Sequence, residues 1–104
     1  MKETDFTLTK EKNEKGFRFI IKGHISSAYA DHLQSELDAA LREKPASIIL
    51  TMSDVVYLSS SGLKVILKTY KDAQNAGSTF GIETPSKNVI DILKMTALEG
   101  LLLA

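Results

Sequence analysis

At 104 residues the chain has the size of one domain, residues 1–104, which excludes a two-lobed enzyme with a cleft between domains. Its 43% hydrophobic and 25% charged residues suit a folded protein rather than a disordered one, and the lack of any cysteine excludes a disulfide framework, a thiol nucleophile and a Cys-based zinc site. Thirteen basic side chains balance thirteen acidic ones, so nothing draws the chain globally toward a phosphate backbone, and direct nucleic-acid binding is not expected.

Phe6 and Leu8, then Phe17, Phe19 and Ile21, keep a period of two and predict two strands joined by a polar turn over residues 10–16. The short connection makes the pair antiparallel, with Gly16 free to take a positive φ where the turn ends. Ala30, Leu33, Leu37, Ala40 and Leu41 then recur at helical intervals and predict an amphipathic helix over residues 27–43, stopped by Pro45. Residues 47–52, SIILTM, have the continuous apolar character of a central strand covered on both faces. Leu63, Ile66, Leu67, Tyr70 and Ala73 predict a second helix over residues 59–76, and Gly77 provides a left-handed stop. Residues 78–83 predict another strand, Pro85 and Ser86 open a third helix carrying Val89, Ile90 and Leu93, and Leu101 to Leu103 form a last apolar piece.

The fold class is therefore α/β in the order ββαβαβα plus a short C-terminal segment. Helices alternating with strands imply a mainly parallel sheet, and the first hairpin adds an antiparallel edge. In such sheets functional loops gather at the carboxyl ends of the parallel strands, here residues 23–27, 53–61 and 84–86. No apolar run approaches the roughly 20 residues that span a bilayer. The first twelve residues mix charges with apolar residues, unlike a signal peptide, so a cytoplasmic location without membrane insertion is expected.

Residues 53–64, SDVVYLSSSGLK, place three serines where the second helix begins. A cap needs only one hydroxyl and leaves Gly62 unexplained, a residue that in a helix interior is about 1 kcal/mol less favourable than alanine. A glycine beside an exposed serine lets another protein's backbone come close, and the free N–H groups of a helix start can hold a phosphate. The combination suggests a modifiable serine. On this reading Gly62→Ala is expected to preserve the fold, with a small gain in helix propensity, while weakening a partner complex.

Enzymatic signatures are missing. The residues around Ser60 lack the first glycine of a G-x-S-x-G elbow, and neither this loop nor residues 77–81 form a phosphate-binding GxxxxGK[ST]. His24 and His32 have no HExxH spacing, so neither a metal nor a cofactor is expected. Lys64, Lys68 and Lys71 read as a solvated helix face that could meet an acidic partner.

The block V55-V-Y-L-S-S-S-G-L-K-V-I-L67, together with G23-H-I-S26, resembles the STAS domain family, specifically the single-domain anti-sigma-factor antagonists of bacteria. The family patterns are F-I-D-S-S-G-L-G-V-L-L and G-x-L-D, and the resemblance extends over nearly the whole chain, including L93-K-M-T-A-L98. It implies a non-enzymatic partner switch. The unphosphorylated antagonist binds a serine-kinase anti-sigma factor and frees a sigma factor, phosphorylation releases the antagonist, and a phosphatase resets it. Aligned residue by residue, the phosphorylated serine falls on Ser60. The partner surface falls on Gly23, His24, Ser26, Ser59, Ser61, Gly62 and Lys64, with the two segments forming one continuous face. Two family carboxylates are replaced, by Ser59 before the phosphorylated position and by Ser26 in the G-x-L-D element. The paired change points either to a partner of altered charge or to a member regulated without phosphorylation. The alternative function is that of a non-phosphorylated STAS subunit in another assembly, such as a lipid-transport ATPase.

Overall fold

Period-two alternation builds an N-terminal hairpin, and its charged half belongs to the strand. In the computed structural model, which describes residues 6–102, β1 (Thr7–Asn13) pairs antiparallel with β2 (Gly16–Ile25). The turn predicted over residues 10–16 is thus confined to Glu14 and Lys15, where Asn13 Oδ1 accepts the backbone N–H groups of Lys15 (2.8 Å) and Gly16 (3.1 Å). Lys10 and Lys12 extend β1 as an exposed edge, and each ammonium lies 5.7 Å from the centre of the Phe17 ring. Gly16 takes the expected positive φ, +148°, and a Cβ there would stand 2.0 Å from the Ser47 carbonyl oxygen.

Helix α1 (Ser27–Arg42) buries Ala30, Leu33, Leu37 and Ala40 on one stripe. It gives way at Lys44, which takes a left-handed φ of +53° immediately before Pro45. Strand β3 (Ser47–Leu58) follows, and its length corrects the sequence reading, which ended the strand at Met52 and began a loop at Ser53. Ile48, Leu50 and Met52 are buried alternately with half-buried Ser47, Ile49 and Thr51, so the second face is not fully covered as expected. Beyond Met52 the buried positions are Val55 and Leu58, three residues apart. The register explains this. Ile20 pairs with Thr51 but Lys22 with Asp54, and Gly23 pairs with Val55 but His24 with Tyr57, so β3 accommodates an extra residue at two bulges.

Helix α2 (Ser60–Ala76) ends as predicted at Gly77, whose φ of +77° lets the Ser78 N–H reach the Ala73 carbonyl at 2.8 Å. Strand β4 (Thr79–Glu83) pairs parallel with β3 and leads through Thr84–Ser86 to α3 (Lys87–Met95), capped by Ser86. A single 3₁₀ turn, Glu99–Leu101, precedes a parallel bridge between Leu102 and Ile82. Leu103, placed by the sequence in the last apolar piece, lies outside the described residues.

The sheet order is β1-β2-β3-β4, antiparallel in its first pair and parallel in the other two. Phe17, Phe19, Ile48, Leu50, Phe80 and Ile82 share one core with the buried stripes of α1 and α2. The other sheet face is half-buried and polar in part: Arg18 of β2 donates to Thr51 Oγ1 of β3 at 3.0 Å and to the Glu83 carboxylate of β4. Each parallel strand therefore delivers its carboxyl end to the end of the sheet where a helix begins.

Candidate functional site

The site is assembled by the carboxyl ends of β2 and β3. Ile25 and Leu58 are paired across the ladder and buried in the core, and the Ser59 N–H donates to the Ile25 carbonyl at 2.9 Å. The chain turns there. Ser59 is extended (φ −73°, ψ 164°) and buried, at 5% exposure, and its Oγ accepts the Gly62 N–H at 3.0 Å as the cap of α2. Ser61 is half-buried, and its Oγ lies 3.3 Å from Ser27 Oγ in the first turn of α1. Ser60 is exposed, and no hydrogen bond engages its hydroxyl among the described residues. The three adjacent serines are thereby sorted into a cap, an interhelical link and a free hydroxyl.

The two segments singled out by sequence are brought together. Ser26 caps the backbone of α1 without a side-chain hydrogen bond, and the Ser27–Ser61 contact joins the starts of α1 and α2. Gly23 and His24 do not lie in a loop: both belong to β2, which continues to Ile25. Gly23 takes a φ of +88° beside a bulge, and half-buried His24 packs against the Tyr57 ring with centroids 5.8 Å apart. Among the described residues His24 Nδ1 is buried without a partner.

Gly62 departs from its sequence reading. It is buried, and a Cβ built on it would meet Ile25 Cγ2 at 2.7 Å and Leu58 Cδ1 at 3.0 Å. Its missing side chain is explained by internal packing of α2 on the strand ends, not by the approach of another backbone. Lys64, one turn after Ser60, is exposed and forms no ion pair among the described residues. Lys68 instead pairs with Asp72 at 2.8 Å, and that hydrogen-bonded carboxylate holds its pKa above the usual lysine range.

Sequence reasoning missed Val56 and Tyr57, large apolar side chains 49% and 48% exposed at the same end of the sheet. The signal was the run V55-V-Y, which the bulge divides into one buried and two outward residues. The third loop adjoins them, with the Ser86 N–H on the Met52 carbonyl (3.0 Å) and Asn88 Nδ2 on the Val56 carbonyl (2.6 Å). None of the three helices has an acidic residue in its first turn. The arrangement is therefore a shallow surface on which Ser60 carries the exposed serine hydroxyl of the triplet, beside exposed Val56 and Tyr57 and the cation Lys64. Among the described residues no cluster of three or more His, Cys, Asp or Glu could hold a metal, and no helix is long and apolar enough to cross a membrane.

Four strands with one antiparallel pair, and helices starting at a serine-lined carboxyl end, define a STAS-type α/β domain. The chain belongs to the STAS domain family, whose model matches residues 8–103. It is 28% identical over 92 residues to the anti-sigma-B factor antagonist of Bacillus subtilis (strain 168), an alignment covering 88% of this chain and 84% of that protein. An anti-sigma factor antagonist from Mycobacterium paratuberculosis has a similar structure, with a TM-score of 0.84 at 21% identity over 95% of this chain and 84% of that one. The anti-sigma factor antagonist SpoIIAA in its unphosphorylated form gives a TM-score of 0.81 at 14% identity, covering 95% of this chain and 86% of that one. The phosphorylated form of SpoIIAA, a Bacillus cell fate determinant, gives 0.76 at 13% identity, covering 95% and 89%. These structural likenesses establish the fold.

Proposed function

We propose that the protein is an anti-sigma-factor antagonist that works by partner switching, with Ser60 as its switch. The observation that carries this reading is the sorting of the three serines: of the three, only Ser60 offers an exposed hydroxyl outside any hydrogen bond among the described residues, at the first position of α2. Ser59 supplies the cap with a neutral hydroxyl, so α2 starts correctly without the carboxylate of the family motif. Unmodified, the surface around Ser26, Ser60, Ser61 and Lys64 binds a serine-kinase anti-sigma factor, and Val56 and Tyr57 add apolar area beside it. The kinase transfers the terminal phosphoryl group of a nucleoside triphosphate to Ser60 Oγ. The hydroxyl proton passes to a base on the kinase and the nucleoside diphosphate leaves; a phosphatase later transfers the group to water. The activity of the chain itself is binding.

Anionic charge at Ser60 disrupts the complex without unfolding the chain, because a helix start stabilises a nearby anion by about 0.3 to 1 kcal/mol. The test is affinity capture of the protein from its native cells, with mass spectrometry of both the captured partners and the phosphopeptides. A kinase-fold partner together with phosphate on Ser60 is the expected result. Capture of transporter subunits with no modified Ser60 would establish the constitutive adaptor role instead.

A further inference from the structure

We propose that Lys64 is the intramolecular counter-ion of a phosphate on Ser60, an inference that rests on reading Ser60 as the modified hydroxyl. Ser60 and Lys64 both lie within α2, four residues apart, where side chains are neighbours with Cβ atoms about 5 to 6 Å from each other. Both are exposed. Lys64 has no ion-pair partner among the described residues, whereas Lys68, one turn further on, is already committed to Asp72. The anionic residue precedes the cation along the helix, the more favourable order for such pairs.

The surroundings supply little competition. No acidic residue stands in the first turn of α1, α2 or α3, and Ser59 caps α2 as a neutral hydroxyl. The other charged or titratable groups of the strand ends and of the first five residues of α1 and α3 are His24, Tyr57 and the Lys22–Asp54 pair (3.7 Å) of the strands, Tyr29 and Asp31 of α1, and Lys87 and Asp91 of α3. Asp54 is matched by Lys22, and of the two α2 lysines without an ion pair among the described residues, Lys64 and Lys71, only Lys64 stands one turn from the modified hydroxyl.

The consequence is a switch with two coupled charge changes. Before modification Lys64 is available to an acidic group on the partner. Phosphorylation adds about −1.5 to −2 charges and draws the ammonium back toward Ser60, so the partner meets a new anion and loses a cation in one event.

The test uses the full chain with phosphoserine installed at position 60 during translation, and follows the second ionisation of the phosphate by phosphorus NMR. A nearby cation favours the dianion and lowers that pKa. In wild type it is expected about 0.2 to 0.4 units below its value in Lys64→Gln, at low ionic strength. Lys64→Arg is expected to restore the wild-type value and Lys68→Gln to leave it unchanged, and the difference should shrink near 1 M salt, where screening acts within about 3 Å. An identical pKa in wild type and Lys64→Gln, or an equal shift from Lys68→Gln, overturns the assignment. Because the phosphate is installed directly, the titration reads Lys64 whether or not a kinase acts on Ser60; an unmodified Ser60 in cells would defeat the functional reading instead.

Discussion

Gly62 lies against Ile25 so closely that a β-carbon on the glycine would stand 2.7 Å from the Ile25 Cγ2 methyl. That contact sets the distance between the first turn of α2 and the end of β2, and so fixes where Ser60 emerges. Ile25 is fully buried and branched at Cβ, and its methyl cannot swing aside without leaving a favoured rotamer.

Gly62→Ala is therefore expected to destabilise the protein. Overpacking of a filled core costs about 1 to 3 kcal/mol, and the gain in helix propensity offsets only about 1 kcal/mol of it. The net loss is up to about 2 kcal/mol, which corresponds to a fall in Tm of up to roughly 10 °C for a domain of this size. Differential scanning calorimetry decides the point: a Tm above that of wild type would show that Ile25 and Leu58 do not crowd the position.

Ser59→Ala removes the oxygen that accepts the Gly62 N–H and leaves a buried donor without its partner. The expected loss is about 1 kcal/mol of stability in urea denaturation, the usual worth of an N-cap. Ser61→Ala loses only the contact with Ser27 and is expected to change stability by less than about 0.5 kcal/mol. If the two variants unfold at the same urea concentration, the division of roles among the serines is wrong.

At the opposite end of the sheet, Lys12 donates to Glu43 at 2.6 Å, and this hydrogen bond holds the Glu43 carboxyl below its usual pKa. A depressed folded pKa means that the pair contributes above the ordinary carboxylate range and loses its contribution as pH falls through the lowered value. Unfolding midpoints of wild type and Glu43→Gln are expected to differ slightly at neutral pH and to converge in acid. A gap that widened on acidification would contradict the pairing.

The helices were legible because each keeps a 3.6-residue period, and two carry their own stop, Pro45 after α1 and Gly77 after α2. Charged Lys10, Glu11 and Lys12 hid the second half of β1, since an edge strand exposes them and needs no apolar alternation. Two bulges hid the second half of β3 by changing the interval between its buried residues from two to three. The motif located the serine site, but three adjacent hydroxyls are chemically equivalent as a string. Their separate fates depend on Ile25, Ser27 and Gly62, which only the fold brings to them. Gly62 was misread for the same reason, because the residues that crowd it, Ile25 and Leu58, end two different strands.

Release of a partner by charge on Ser60 is read as a loss of affinity for the isolated anti-sigma factor. A phosphate that the partner must desolvate, at a penalty of only about 3 kcal/mol, weakens binding more than a hundredfold. Wild type, Ser60→Ala and chain carrying phosphoserine at position 60 would be titrated by calorimetry, with Glu43→Gln, at the opposite end of the sheet, as control. The unmodified proteins are expected to bind alike and the phosphorylated chain at least a hundredfold more weakly, all with native circular dichroism. Equal affinity of the phosphorylated and unmodified chains would contradict release by charge on Ser60.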